Sequence, residues 1–375
     1  MRNPHVVMFG GGFTFVQDWA RAAAAAGAEV SLVYPTRRSG SGDAPSGFDG
    51  VTVRYYSGSP QFRPSRYFWP LNDALSERSI RSFIAGLGVN SRPATHLHTH
   101  FYPGSHVVAR VADDLQLPLV HTEHSGSIIE GRVSRLGRLA LLATSAQARA
   151  VFAVSEQLAD AMRELGVLAP IRVVPNPVDH ELFGSTEPRA QYPPKDGKWR
   201  FVTIGWLVPG KVQSEIIKAF ARVKCVLPGS ILSVIGDGLL RAELEALRES
   251  LGLADSVRFL GRLARPEIAE VFAESHCYVH ASESETFGVA LVEAWAAGLP
   301  VVTYECGGIS GLADTIGGEV VGERNHLLLA EAMIGQTTMT SLDHRVEVRR
   351  RASDHFAKNR ITSALAEAYG VIPSD

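Results

Sequence analysis

The sequence predicts an α/β protein built from two Rossmann-like halves, and three observations carry that expectation. Short apolar runs of strand length alternate with stretches of helical period along most of the chain. Twice a strand runs directly into a glycine turn, at Gly10-Gly11-Gly12 and again at Gly205. Between these two openings lies Gly184–Lys198 (GSTEPRAQYPPKDGK), whose prolines and mixed polarity mark a linker. A length of 375 residues also fits two domains.

Composition narrows the classes of function. A hydrophobic content of 45% and a net charge of −2 describe an ordinary globular protein and give no reason to expect nucleic-acid binding. Cys225, Cys277 and Cys306 form no CxxC pair and have no histidines at zinc spacing, so a reducing compartment without disulfides is expected. No apolar run reaches the roughly 18 residues of a membrane span. The N-terminus lacks a cationic region ahead of a long apolar stretch, so a cytoplasmic location is expected.

In the first half, His5–Phe9 reads as a strand, Phe13–Ala26 as a helix closed by Gly27, and Glu29–Tyr34 as a second strand. The glycines admit close backbone approach by a ligand, and a tight turn explains them as well. The spacing is not G-x-G-x-x-G, no acidic residue follows the second strand, and no lysine precedes Lys195. Those details argue against a dinucleotide fingerprint and against a Walker loop. Thr36–Gly50 reads as an exposed loop, with Arg37 and Arg38 in it. Gln61–Asn72 (QFRPSRYFWPLN) mixes arginines such as Arg66 with aromatics such as Trp69. It suits either an acceptor wall, since aromatic faces stack on sugar rings, or an apolar loop over the core.

A histidine-dense region follows: His96, His98, His100, His106, His121 and His124. Strand alternation puts 96, 98 and 100 on one face, about 7 Å apart, which is too spread to chelate one ion together. Gly131–Ala150 reads as a helix with Arg132, Arg135 and Arg138 on one face. Phe152–Val154 is a strand, Glu156–Leu165 a helix, and Ile171–Asn176 a strand leading into PNPVD.

The second half opens with a strand at Arg200–Ile204, followed by GWLVPGK. Ile231–Gly238 is a strand with a glycine turn at Gly236, and Arg241–Leu251 a helix. Val257–Leu260 is a strand ending at Gly261-Arg262-Leu263, Pro266–Ser275 a helix, and Cys277–His280 a strand. The most informative stretch is Ala281–Val302 (ASESETFGVALVEAWAAGLPVV). Glu285 precedes a helix that starts near Gly288, Glu293 lies about two turns in, and Gly298 and Pro300 stop the helix. Backbone N–H groups near Gly288 and Val289, together with the helix dipole, suit a phosphate. A carboxylate at each end then suits a sugar nucleotide, one for sugar hydroxyls and one for ribose hydroxyls. The same spacing also fits a capping Glu285 and a solvated Glu293. Asp354–Tyr369 reads as a final helix.

Ser282, Glu285, Phe287, Gly288, Glu293, Gly298, Pro300, Val301 and Val302 fall in register with one pattern. This stretch resembles the E-x7-E motif of the retaining, nucleotide-sugar-dependent glycosyltransferases of family 4, which have the GT-B fold. LHTHF and PLVHTEHSG resemble two strand ends of that family's first domain, and PNPVD resembles its Pro-Asn-Gly-Val-Asp. The resemblance covers almost the whole chain. It implies two Rossmann-like domains facing across a cleft, the first over 1–183 and the second over 199–353. A C-terminal helix, 354–375, crosses back to the first.

The implied roles follow residue by residue. His124 contacts the donor sugar, positioning it and stabilising charge, with His100 and Glu123 shaping the same pocket. Gly11 and Gly12 face the reacting sugar and the acceptor. Lys211 and the helix start at Phe287, Gly288 and Val289 hold the diphosphate. Glu285 takes sugar hydroxyls and Glu293 the ribose, while Gly236, Arg262 and Leu263 line the nucleotide site. Relatives carry an arginine where this chain has Trp206, and a glycine where it has Val212. A tryptophan cannot neutralise phosphate, so Arg241 or Arg262 must substitute, or the enzyme is weakened or specialised. The expected activity is transfer of a sugar from a nucleoside diphosphate sugar to a hydroxyl acceptor with retention, without a metal or other cofactor. A non-catalytic nucleotide-sugar-binding partner and an epimerase of the same fold are the alternatives. Basic surfaces in relatives with lipid acceptors leave weak peripheral membrane contact open.

Overall fold

Glycine turns at strand ends and apolar runs covered on both faces build two separate parallel sheets. The computed structural model describes residues 3–9, 14–35, 51–56, 77–86, 93–185 and 189–371. The chain divides into two compact units, Met1–Pro177 with Ala357–Asp375 (unit 1) and Val178–Phe356 (unit 2). Among the described residues no helix is long and apolar enough to cross a membrane.

Unit 1 holds strands β1 (His5–Phe9), β2 (Glu29–Pro35), β3 (Val51–Tyr56), β4 (His96–His100), β5 (Leu119–Glu123), β6 (Ala150–Ala153) and β7 (Ile171–Val173), in the order β3-β2-β1-β4-β5-β6-β7. Unit 2 holds β8 (Arg200–Ile204), β9 (Ile231–Ile235), β10 (Val257–Gly261), β11 (Cys277–His280), β12 (Val301–Tyr304) and β13 (Gly318–Val321), in the order β10-β9-β8-β11-β12-β13. All pairings are parallel. In each sheet the order reverses beside the first strand, between β1 and β4 and between β8 and β11. Open parallel sheets bind ligands outside the carboxyl ends of strands at such switch points. Parallel strands buried on both faces need near-continuous apolar sequence, and β11 (CYVH) and β12 (VVTY) are buried at every position.

The unit 2 core gathers Phe201, Phe220, Val234, Val279, Tyr304 and Leu329. In unit 1, Val7, Leu97, Val107, Val111 and Leu119 form a core cluster, and the buried Trp19 donates from Nε1 to Asn176 Oδ1 at 2.8 Å.

Several sequence expectations change. The first unit ends at Pro177 rather than 183, because the helix His180–Ser185 belongs to unit 2, where Phe183 packs on Phe272. The final helix is two helices, Leu342–His355 in unit 2 and Lys358–Ala368 in unit 1. The break falls at Phe356, whose ring is buried against Trp295 and Phe287 and pins the chain to unit 2. The helix expected over 131–150 starts at Arg135, capped by Ser134 Oγ accepting from Gly137 N–H, so Arg132 lies before it. Arg138 donates to the Leu165 carbonyl at 2.8 Å, which reduces the expected basic face.

Candidate functional site

Unit 2 presents its chemistry at the switch between β8 and β11. Gly205 and Trp206 follow β8, and His280 closes β11. The loop ends are stitched by backbone bonds: Gly205 N–H to Ile235 O at 3.0 Å, Gly236 N–H to Gly261 O at 2.8 Å, and Leu207 N–H to Asp237 O at 3.1 Å. Gly236 has φ 130°, and a Cβ there would lie 1.9 Å from Gly205 O, so only glycine fits this approach.

Two further backbone bonds tie the motif loop to the lysine loop and to the loop after β12. Glu283 N–H donates to Gly210 O, and Glu285 N–H donates to Cys306 O, both at 2.7 Å. Lys211 Nζ then donates to Glu285 Oε1. His280 Nε2 lies 3.1 Å from the same oxygen, and His280 Nδ1 lies 3.2 Å from the Tyr278 hydroxyl. Burial alone would raise the Glu285 carboxyl; its hydrogen bond to His280, the His280 charge and Lys211 outweigh burial and hold it below the usual carboxylate range. His280 and Tyr278 were not among the residues singled out from the sequence. The signal that could have found His280 is its place at the carboxyl end of a strand at a switch point.

The helix Val289–Ala296 starts at Gly288, with φ 90° and ψ 57°. Leu291 N–H, bonded to Gly288 O, makes its first turn, so the N–H groups of Val289 and Ala290 precede that bond, as a helix start requires. Its C-terminus is a Schellman turn, with Gly298 N–H on Trp295 O and Leu299 N–H on Ala294 O. Glu293 is not a solvated helix residue: it is 8% exposed and pairs with Arg265 at 3.1 Å. The Phe287 ring is core, buried edge-on to Phe356. Its backbone carbonyl receives Ile309 N–H at 3.3 Å. Apolar burial outcompetes ligand contact for such a ring.

Trp206 is 56% exposed, and the Arg262 guanidinium carbon lies 5.0 Å from its ring centroid. Arg241, the other candidate substitute, is engaged with Glu245 at 2.9 Å. Leu263 is partly buried beside Arg262. Val212 is left-handed, with φ 48° and ψ 40°, and stands at the N-cap position of the helix Gln213–Val226.

In unit 1 the histidines form a buried cluster at the β4 and β5 ends. His100 Nδ1 is 2.8 Å from His124 Nε2, and the His98 and His100 rings stack at 4.5 Å. His98 bonds to the Tyr369 hydroxyl at 2.6 Å and to Thr122 Oγ1 at 2.7 Å. Burial first, then electrostatic repulsion from His121 and His98, holds His124 well below the usual histidine range. Glu123 does not line a pocket: it is fully buried, and its Oε1 accepts from the N–H groups of His124 and Ser125 at 2.9 and 2.8 Å. It fixes the His124 backbone. Gly11, Gly12, Arg37, Arg38, Arg66 and Trp69 lie outside the described residues. Among the described residues no group of three or more His, Cys, Asp or Glu side chains has metal-binding geometry.

Residues 185–349 match the family model described as glycosyl transferases group 1, and residues 9–182 match glycosyltransferase family 4. A D-inositol 3-phosphate glycosyltransferase of Rhodococcus erythropolis is 28% identical over 343 residues, covering 80% of this chain and 72% of that protein. Among solved structures, a sucrose-phosphate synthase from Thermosynechococcus elongatus aligns with a TM-score of 0.77 at 19% identity, covering 98% of each chain. Anabaena HepE, in complex with UDP and glucose, aligns with a TM-score of 0.75 at 19% identity, covering 99% of this chain and 100% of that one. These likenesses establish the GT-B fold.

Proposed function

Because this chain belongs to the group 1, family 4 glycosyltransferases, we propose that it moves a sugar from a nucleoside diphosphate sugar to a hydroxyl acceptor with retention of configuration. The observation that carries this reading is the cluster of Lys211, Glu285 and His280 beside the helix start at Gly288. Two cationic side chains and a helix N-terminus converge on one loop at the carboxyl edge of the sheet. That arrangement suits a diphosphate whose charge grows as it departs.

In this reading Lys211 and the N–H groups of Val289 and Ala290 hold the diphosphate. Glu285 orients sugar hydroxyls and faces the positive charge that develops at the sugar carbon. Glu293, already held by Arg265, takes the ribose hydroxyls. Arg262, stacked on Trp206, supplies the cation that Trp206 itself lacks. These groups offset the diphosphate without a metal ion.

The test is calorimetric titration of UDP, GDP, ADP and dTDP with EDTA present, on the wild type and on Glu293→Ala. The Anabaena neighbour holds UDP, so UDP comes first. Binding of one nucleotide that the variant loses supports the reading. No binding of any of them refutes it.

A further inference from the structure

His280 lies in the cluster, and both of its ring nitrogens have partners. The ring is 4% exposed, and both nitrogens are engaged, Nε2 with Glu285 Oε1 and Nδ1 with the Tyr278 hydroxyl. The single Tyr278 proton is directed to the Ile204 carbonyl, 3.4 Å away. The carboxylate accepts from Nε2–H, and a phenol that gives its proton to that carbonyl leaves its oxygen to accept from Nδ1–H. A ring donating from both nitrogens is an imidazolium.

The groups around it come from four places in unit 2. Tyr278 is on its own strand, Glu285 on the loop after β11, Lys211 on the loop after β8, and Cys306 on the loop after β12. Two cations thus surround one carboxylate. If Lys211 alone neutralised Glu285, its move to a phosphate would leave a buried carboxylate uncompensated, an arrangement that is strongly destabilising.

We propose that His280 is a positioning residue: as a buried cation it keeps Glu285 ionised and in place when Lys211 leaves that carboxylate for the donor's diphosphate. The proposal rests on the reading above in which Lys211 takes the diphosphate. It also explains why Lys211 and His280 share one carboxylate oxygen. Burial presses the ring towards neutrality; hydrogen bonds to Cys306 and Glu285 outweigh it and push the pKa up to about 9.

The test uses the full chain with 15N-labelled histidine. Ring-nitrogen NMR near neutral pH, with His280 assigned by its loss in His280→Gln, is expected to show both nitrogens protonated. A neutral tautomer overturns the proposal. Calorimetry with UDP, GDP, ADP and dTDP then separates the two readings. Wild-type affinity is expected to fall as pH rises through about 9, and His280→Gln to bind about tenfold more weakly near neutral pH. Wild-type binding with unchanged affinity in His280→Gln overturns the hand-over alone. Failure of the wild type to bind any of the four overturns the donor reading, and the hand-over with it.

Discussion

Replacing Glu285 by glutamine keeps the side-chain shape and removes the charge that Lys211 and His280 share. The stability cost can be worked from the two contacts. Hydrogen bonds to charged groups contribute about 1.5–3 kcal/mol, and neutral ones about 0.5–1.5 kcal/mol. The His280 contact is buried, its two side chains 6% and 14% exposed, so it loses about 1–2 kcal/mol. The Lys211 side chain is 29% exposed, so solvent screening limits that loss to under about 1 kcal/mol. A total near 2 kcal/mol corresponds to a fall of about 4–8 °C in Tm for a unit of this size. Thermal melts followed by circular dichroism read the first effect. Donor hydrolysis and transfer, followed by chromatography of the released nucleotide, read the second. Turnover is expected to fall about 100-fold or more with the loss of charge at the reacting sugar. An unchanged Tm with unchanged turnover refutes the cluster as the working centre. A raised Tm also refutes the argument, because it would mean that the carboxylate is strained rather than neutralised.

Two other perturbations test the frame of each unit. Gly236→Ala drives a Cβ into the Gly205 carbonyl, where backbone meets backbone and neither can rotate away; unit 2 is expected to lose more than about 3 kcal/mol, read as a lowered denaturant midpoint, and an unchanged midpoint contradicts the close approach. In unit 1, His98, His100 and His124 are held well below the usual histidine range, first by burial. Their folded pKa values are depressed, so the unfolded chain takes up protons first as pH falls below about 6.5. Each proton bound only by the unfolded chain costs about 1.4 kcal/mol per pH unit. The denaturant midpoint of unit 1 should drop as pH falls below about 6.5, and no drop down to about pH 5 contradicts neutral burial.

The order of strands and helices was legible in the sequence because parallel sheets require apolar runs separated by glycine turns, and local pattern reports both. The E-x7-E stretch was legible for the same reason, since its helix start, its stop and its two carboxylates lie within one short segment. Lys211 could be named through the family resemblance. The missing arginine at Trp206 was equally visible.

Which groups touch was not legible. The pairing of Lys211 with Glu285 joins loops after different strands, and no periodicity encodes it. His280 looked like the end of an apolar strand until β8 and β11 became neighbours at the switch point and brought Ile204, Tyr278 and Lys211 around it. Phe287 was expected in the helix start that holds the diphosphate; the structure adds that its ring packs on Phe356 from a distant helix end. Likewise the break at Phe356 comes from a buried ring and not from a proline or glycine. The sequence by itself determined the fold, the element order and the identity of the motif carboxylates, because those depend on local pattern and composition. The tertiary structure alone decided the charge states and partners at the site, because burial and the convergence of separate loops set them.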